Sequence, residues 1–409
     1  MKGNAIVGQS GGPTATINAT LAGVIRGALN NAKINKIYGM FNGIEGLLEE
    51  NIKELNDIFK KEENLKLLEY TPAASLGSCR LKLPDPNEKE SSYKTIFKIL
   101  SKKNIKYFFY IGGNDSMDTV KKLSSYAGKN NIEINVVGIP KTIDNDLNCT
   151  DHSPGYGSAA KYIATTIQEL SLDTAAYNQK SVLIVEIMGR DTGWLTASAV
   201  LPRLNGDENN GADLIYLPEV AFDNDRFISD IERQFEKKLH IIVAISEGIR
   251  YANGKYVCET DELRETDKFG NTWLAGSANV LKRLVKEKLK CKVRALELNT
   301  QQRCGGHIAS LCDITESVEI GKKAVETAVS GKTGVMMTFN RISNTPYKTE
   351  IKYEDVNSIA NTVKKIPENF ITSENNNVTN ECLEYILPLI SGEPNKLYRN
   401  GIPVYFKII

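Results

Sequence analysis

The sequence predicts an α/β fold of two lobes, each a mainly parallel sheet flanked by helices, and three observations support this. Short apolar runs alternate with segments of helical periodicity, as parallel strands joined by crossover helices do. Each apolar run gives way at once to glycine, charged or amide residues, the pattern of strands whose carboxyl ends open onto a ligand crevice. The chain has 409 residues, beyond the roughly 250 to 300 at which a single core stops growing.

The first unit is a strand around Ala5-Ile6-Val7, a turn Gly8-Gln9-Ser10-Gly11-Gly12-Pro13, and a helix with Thr14 or Thr16 near its start. Ile17, Leu21, Val24, Ile25 and Leu29 fall on one face of that helix. Such a turn suits an anion, because unpaired N–H groups and the helix dipole point at it. A side chain at Gly11 or Gly12 would hold the backbone away from phosphate oxygens. The turn matches neither the Walker pattern nor the dinucleotide fingerprint. A second run, Tyr107 to Ile111, leads into Gly112-Gly113-Asn114-Asp115-Ser116. Its acidic residue cannot bind phosphate directly, so a divalent cation, naturally magnesium, is expected to bridge protein and phosphate oxygens. Asn114, Asp115 and Ser116 also suit a helix cap.

A third run, Val136 to Ile139, delivers Pro140-Lys141-Thr142-Ile143-Asp144-Asn145-Asp146. One cation and two carboxylates at a strand end can move a phosphoryl group, although Asp and Asn also form ordinary turns. Gly155 to Leu170 reads as a helix, with Ala159, Ile163, Ile167 and Leu170 on one side, leading from the first lobe into the second. Val182 to Ile187, Ile241 to Ile245 and Arg294 to Leu298 are the strands expected there.

A formal charge of +1 removes the basic excess that a nucleic-acid partner would need. Anionic ligands must therefore be held by local groups. The sequence lacks an apolar run of roughly 18 residues and has a strand-like start, so a cytoplasmic protein with no membrane partner is expected. Seven scattered cysteines, without metal-ligand spacing, read as reduced thiols. With only His152, His240 and His307 available, carboxylates must carry most of the acid–base chemistry.

The ordered segments GGPT, Leu76-Gly77-Ser78-Cys79-Arg80, GGNDS, PKTIDND, Met188-Gly189-Arg190, Ser246-Glu247-Gly248, and Arg294 followed by Gln302-Arg303 resemble the phosphofructokinase family. Within it they resemble the pyrophosphate-dependent branch, over most of the chain. The resemblance implies a phosphofructokinase-like fold, Mg2+, and transfer of a phosphoryl group from diphosphate to the 1-hydroxyl of fructose 6-phosphate. It implies Asp144 as general base, within hydrogen-bond reach of that hydroxyl. Thr142 and Ile143 would lie beside it on the sugar, with Asp146 and Asn114 at the metal. Gly11, Gly12, Arg80, Gly113 and Ser116 are implied on the donor. Met188, Gly189, Arg190 and Glu247 resemble the sugar-binding segments, where a carboxylate suits paired hydroxyls. Arg294 and Arg303 resemble the arginines gripping the 6-phosphate, where a planar bidentate donor outperforms lysine. Thr300 stands at a sugar contact where the family usually has Tyr or His.

Donor choice rests on Lys141 and Asp115. ATP-dependent relatives have glycine before Thr142, whereas a lysine resembles the diphosphate users and can neutralise the departing orthophosphate. Asp115 resembles the acidic residue that occupies the space of an ATP α-phosphate. Two like charges about 4 Å apart cost roughly 4 kcal/mol at an effective dielectric near 20. The chain departs from the family at Asn114, where a metal-associated aspartate is usual. It departs again at Thr71, where ATP-dependent relatives have arginine, and at Lys180, near an expected neighbouring-subunit arginine. The expected division is 1–150 for the donor, 151–304 for the sugar phosphate, and 305–409 returning to extend both. A homodimer sharing its sites is expected, with a homotetramer as the alternative. Rival readings are an ATP-dependent enzyme, a non-catalytic regulatory subunit of the same fold, and a dinucleotide oxidoreductase, whose fingerprint is missing.

Overall fold

The computed structural model describes residues 1–205, 210–259 and 276–408. Its first sheet contains β1 (Gly3–Gln9), β2 (Ile34–Met40), β3 (Ile52–Glu54), β4 (Ile105–Gly112) and β5 (Asn135–Pro140). The second contains β6 (Ser181–Ile187), β7 (Leu214–Tyr216), β8 (His240–Ser246) and β9 (Lys292–Glu297). The chain then returns to the first sheet with β10 (Val335–Asn344) and β11 (Tyr347–Asp355), giving the order β11-β10-β5-β4-β1-β2-β3. The second sheet runs β7-β8-β6-β9, parallel throughout. In the first, only the outer pairs β2–β3 and β10–β11 are antiparallel.

The sequence explains the central strands. Residues from Tyr107 to Gly112 are all buried, and β6 is buried along its whole length, so neither shows alternation. That is the signature of parallel strands covered by helices on both faces. β9, at the edge, alternates instead: Val293 is buried while Lys292, Arg294 and Leu296 are exposed.

The helix Ile17–Leu29 lies against the helix Leu311–Val329 with almost no separation. A Cβ on Gly23 would fall 2.1 Å from the Val318 carbonyl oxygen, and one on Gly321 would fall 2.3 Å from that of Thr20. Side chains at either position would push the donor turn's own helix off its support.

The long helix Tyr156–Ala175 connects β5 to the second sheet. Buried His152 clamps its approach, with Nδ1 2.9 Å from Asp151 and Nε2 2.7 Å from Glu316. Tyr347 and Thr349 donate to the other Glu316 oxygen, and Arg341 donates to Asp151. Burial pulls the imidazolium down, but the two carboxylates outweigh this and raise it to about 9. No helix among the described residues is long and apolar enough to cross a membrane.

Candidate active site

The strand ends of both sheets meet at one cleft of about 350 Å³. On its donor wall β1 ends in Ser10-Gly11-Gly12-Pro13-Thr14, where the Thr14 hydroxyl accepts from Ile17 N–H and opens the first helix. Gly11 holds φ +76°, a left-handed conformation that glycine adopts without strain. Its N–H donates to Cys79 O at 3.1 Å and its carbonyl accepts from Ser78 Oγ at 2.5 Å. The two segments flanking Arg80 and Gly12 are thereby tied together. At the end of β4 the helix Asn114–Lys129 begins under Gly113. A Cβ on Gly112 would fall 1.9 Å from Ser116 Oγ, so this turn closes only over glycine.

β5 ends in the Lys141 to Asp146 loop. Lys141 N–H donates to Gly112 O at 3.0 Å, and its buried ammonium donates to Gly12 O at 2.7 Å. The cation is therefore held between the two glycine turns. Thr142 Oγ1 accepts from the Asp144 N–H, Thr192 Oγ1 donates to Asp144 O, and Asn145 turns the chain at φ +53°. The carboxylates of Asp144 and Asp146 both face the cleft, with Thr142 and Ile143 beside them.

The opposite wall comes from the second sheet. Met188 follows β6 and donates its N–H to Gln302 Oε1 at 3.1 Å; Gly189 N–H reaches Glu247 Oε1 at 3.3 Å. Glu247 N–H donates back to Ile187 O at 2.8 Å. Gly248 is pressed so tightly on this segment that a Cβ would fall 1.8 Å from Arg190 O. Met188, Arg190, Glu247 and Arg303 line the cleft.

Burial drives groups of both signs toward neutrality here. Desolvation and the neighbouring Asp146 charge push Asp144 up to about 7, against the pull of Lys141 and Arg190. Desolvation also raises Asp146. Glu247 rises to about 8, through burial and then Asp144. Lys141 falls to about 8 by burial, although both aspartates oppose the change, and Arg303 is lowered by burial and by Arg80. A carboxylate that can take a proton at neutral pH thus stands near cations converging on the Gly11–Gly12 turn. A Cβ on Gly12 would meet Arg303 Nη1 at 3.3 Å, and one on Gly11 would meet Lys141 Nζ at 3.2 Å.

Most of the expected site residues converge: Gly11, Gly12, Arg80, Gly113, Asn114, Asp115, Ser116, Lys141, Thr142, Ile143, Asp144 and Asp146 all line the cleft. Gly189 stands behind Glu247. Arg294 and Thr300 do not line it. Arg294 sits on the outward side of edge strand β9, 3.7 Å from Asp173, in a separate groove with Tyr177 and Lys292. Thr300 is exposed just before the turn Gln301–Cys304. Lys180 is exposed too, its ammonium 5.0 Å from the Phe235 ring centroid. The expectation of Asn114 as a metal ligand meets a competing use. Its oxygen accepts from Asn361 N–H at 3.0 Å and its NH2 donates to Thr362 O at 2.6 Å. Among the described residues no cluster of three His, Cys, Asp or Glu could hold a metal alone. One or two carboxylates fit an ion that arrives on phosphate oxygens. Sequence reading missed Lys364, whose ammonium lies behind the loop. Its position in the polar run Asn361-Thr362-Val363-Lys364-Lys365 carries no periodic signal.

The profile described as Phosphofructokinase matches residues 4–328. A pyrophosphate--fructose 6-phosphate 1-phosphotransferase of Halomonas elongata is 36% identical over 408 residues, covering 99% of this chain and 96% of the relative. One from Methylococcus capsulatus is 37% identical over 406 residues, 98% of this chain and 95% of its own. The crystal structure of a pyrophosphate-dependent phosphofructokinase from Nitrosospira multiformis superposes with a TM-score of 0.87 at 36% identity. It covers 99% of this chain and 96% of that one. A match spanning most of the chain, on a fold whose strand ends converge as described, places the protein plainly: it belongs to the phosphofructokinase family.

Proposed function

We propose that the chain is a diphosphate-dependent 6-phosphofructokinase. It transfers a phosphoryl group reversibly from diphosphate to the 1-hydroxyl of fructose 6-phosphate, giving fructose 1,6-bisphosphate and orthophosphate, as the names of its relatives indicate for them. The observation that carries the donor assignment is Lys141, whose ammonium is buried against Gly12 O where a departing orthophosphate needs a counter-charge.

In this reading diphosphate lies against the Gly11–Gly12 turn and the start of the Gly113–Ser116 segment, with Arg80 beside it. Asp115 bars a longer polyphosphate. The sugar lies against Thr142, Ile143, Met188, Gly189, Arg190 and Glu247, with Arg303 on its 6-phosphate. Asp144 takes the proton from the 1-hydroxyl as the O1–P bond forms. The bridging P–O bond breaks, and orthophosphate leaves toward Lys141. Phosphofructokinases generally need a divalent metal ion; we infer Mg2+, carried on diphosphate and held by Asp146, where it would neutralise charge on the transferred group. Arg294 faces outward, so we infer a homodimer in which it serves the partner's 6-phosphate, with Thr300 close by. We place the enzyme in the cytoplasm.

The test is product formation with diphosphate and with ATP in parallel. Turnover with diphosphate is expected, and turnover with ATP alone would overturn the donor assignment.

A further inference from the structure

We propose that Lys364 is a positioning residue for the phosphoryl-transfer loop: carried on a strap from the C-terminal part of the chain, its ammonium fixes the backbone bearing Asp144 and Asp146 without touching substrate. The inference rests on the reading of Asp144 as the base. The strap, residues 361–366, is laced to both walls of the cleft. On the donor side Asn361 N–H and Thr362 O bond the Asn114 amide, and Lys364 N–H donates to Asp146 O at 2.8 Å. On the acceptor side Trp194 Nε1 donates to Lys364 O at 3.1 Å, and Ile366 N–H donates to Glu219 Oε1 at 3.2 Å.

Between these anchors the Lys364 ammonium donates to Asp151 O at 2.7 Å, Thr150 O at 3.1 Å and Asn145 Oδ1 at 3.3 Å. These acceptors come from both ends of the segment 145–151, so one cation holds that segment closed. Two non-glycine residues within it, Asn145 and Cys149, hold left-handed backbone at φ +53° and +62°. Such conformations persist where surrounding bonds over-determine them. The ammonium also lies 5.2 Å from the Trp194 ring centroid, and Lys364 is absent from the cleft lining.

The strap also accounts for the neutral residue at 114. An amide can accept from Asn361 N–H and donate to Thr362 O at once; a carboxylate would set a second acceptor against that carbonyl.

The test uses the full-length enzyme, its substrates and Mg2+, with K364M and K364Q compared by near-UV circular dichroism and steady-state kinetics. K364M is expected to lose about tenfold or more in kcat, with KM for both substrates within about twofold. K364Q, which keeps a donor amide, is expected to recover about threefold or more of that loss. A folded K364M with wild-type kcat overturns the proposal, as does a raised KM at unchanged kcat. If K364M does not fold, K364Q decides: reduced kcat at unchanged KM supports the proposal and wild-type kcat overturns it. Each variant is assayed with whichever donor the wild type turns over. Wild type using only ATP sinks the donor assignment and leaves this test standing, whereas K364M matching wild type sinks only the role of Lys364.

Discussion

Replacing Gly248 with alanine forces apart the two segments of the sugar-side wall by a calculable amount. The added Cβ would fall 1.8 Å from the Arg190 carbonyl oxygen and 2.5 Å from its carbon. Both are backbone atoms, so no rotamer change relieves the clash. The Met188-Gly189-Arg190 segment must retreat from the Ser246-Glu247-Gly248 turn by at least about 1.2 Å. That retreat weakens the 3.3 Å bond from Gly189 N–H to Glu247 and the contact of Ser246 Oγ with Gly189 O. A misplacement of about 1 Å costs on the order of a hundredfold in rate, or about 2.7 kcal/mol. We therefore expect kcat/KM for fructose 6-phosphate to fall about a hundredfold. Diphosphate binding by calorimetry should stay within about threefold, since Gly11, Gly12 and Lys141 lie on the other wall. A folded variant with wild-type kcat/KM for the sugar would refute the close approach on which this reasoning stands.

Asp144→Asn should lower kcat by about 10² to 10⁴ while calorimetric binding of fructose 6-phosphate stays within about threefold; near-normal turnover removes Asp144 as the base. kcat/KM should rise as pH climbs through about 7, where Asp144 ionises, and fall above about 8, where Lys141 loses its proton. In Lys141→Arg the alkaline limb should disappear, because a guanidinium stays charged; an unmoved limb assigns it elsewhere. His152 has its pKa raised to about 9 in the folded protein against about 6.5 unfolded. The clamp's stabilisation is therefore complete below about pH 6.5 and lost as pH rises toward 9, about 3 kcal/mol in all. Denaturant titrations across that range should show the decline in wild type and its absence in His152→Asn; equal slopes would contradict the clamp.

The parts of this molecule that could be read directly from sequence are those whose residues act locally. Apolar runs gave the cores of β1, β4, β5, β6 and β8, because buried parallel strands need no partner to be recognised, while edge strand β9 was placed from the stretch Arg294 to Leu298 although its residues alternate. The glycine turns and the 141–146 loop were legible because a strand end followed by glycine or charge has few other uses. β10 and β11 escaped notice: their alternation follows a strand-to-strand return whose partner, β5, lies far upstream. Arg294 was legible by motif, but its direction was not, since edge alternation on β9 turns it outward. Lys364 could not be found at all. Its burial is created by Trp194 and the 145–151 segment, which the sequence separates widely from it.

The insertion of the second sheet between β5 and β10 has a consequence for how the polypeptide is made. Until residue 335 leaves the ribosome, β5 forms an open margin, although its residues are suited to burial on every side. At roughly 5 to 20 residues per second that exposure lasts on the order of ten to forty seconds. An unpaired hydrophobic strand is a template for wrong partners throughout that time. A fragment ending before β10 would keep that unpaired margin and is expected to aggregate more readily than the whole chain.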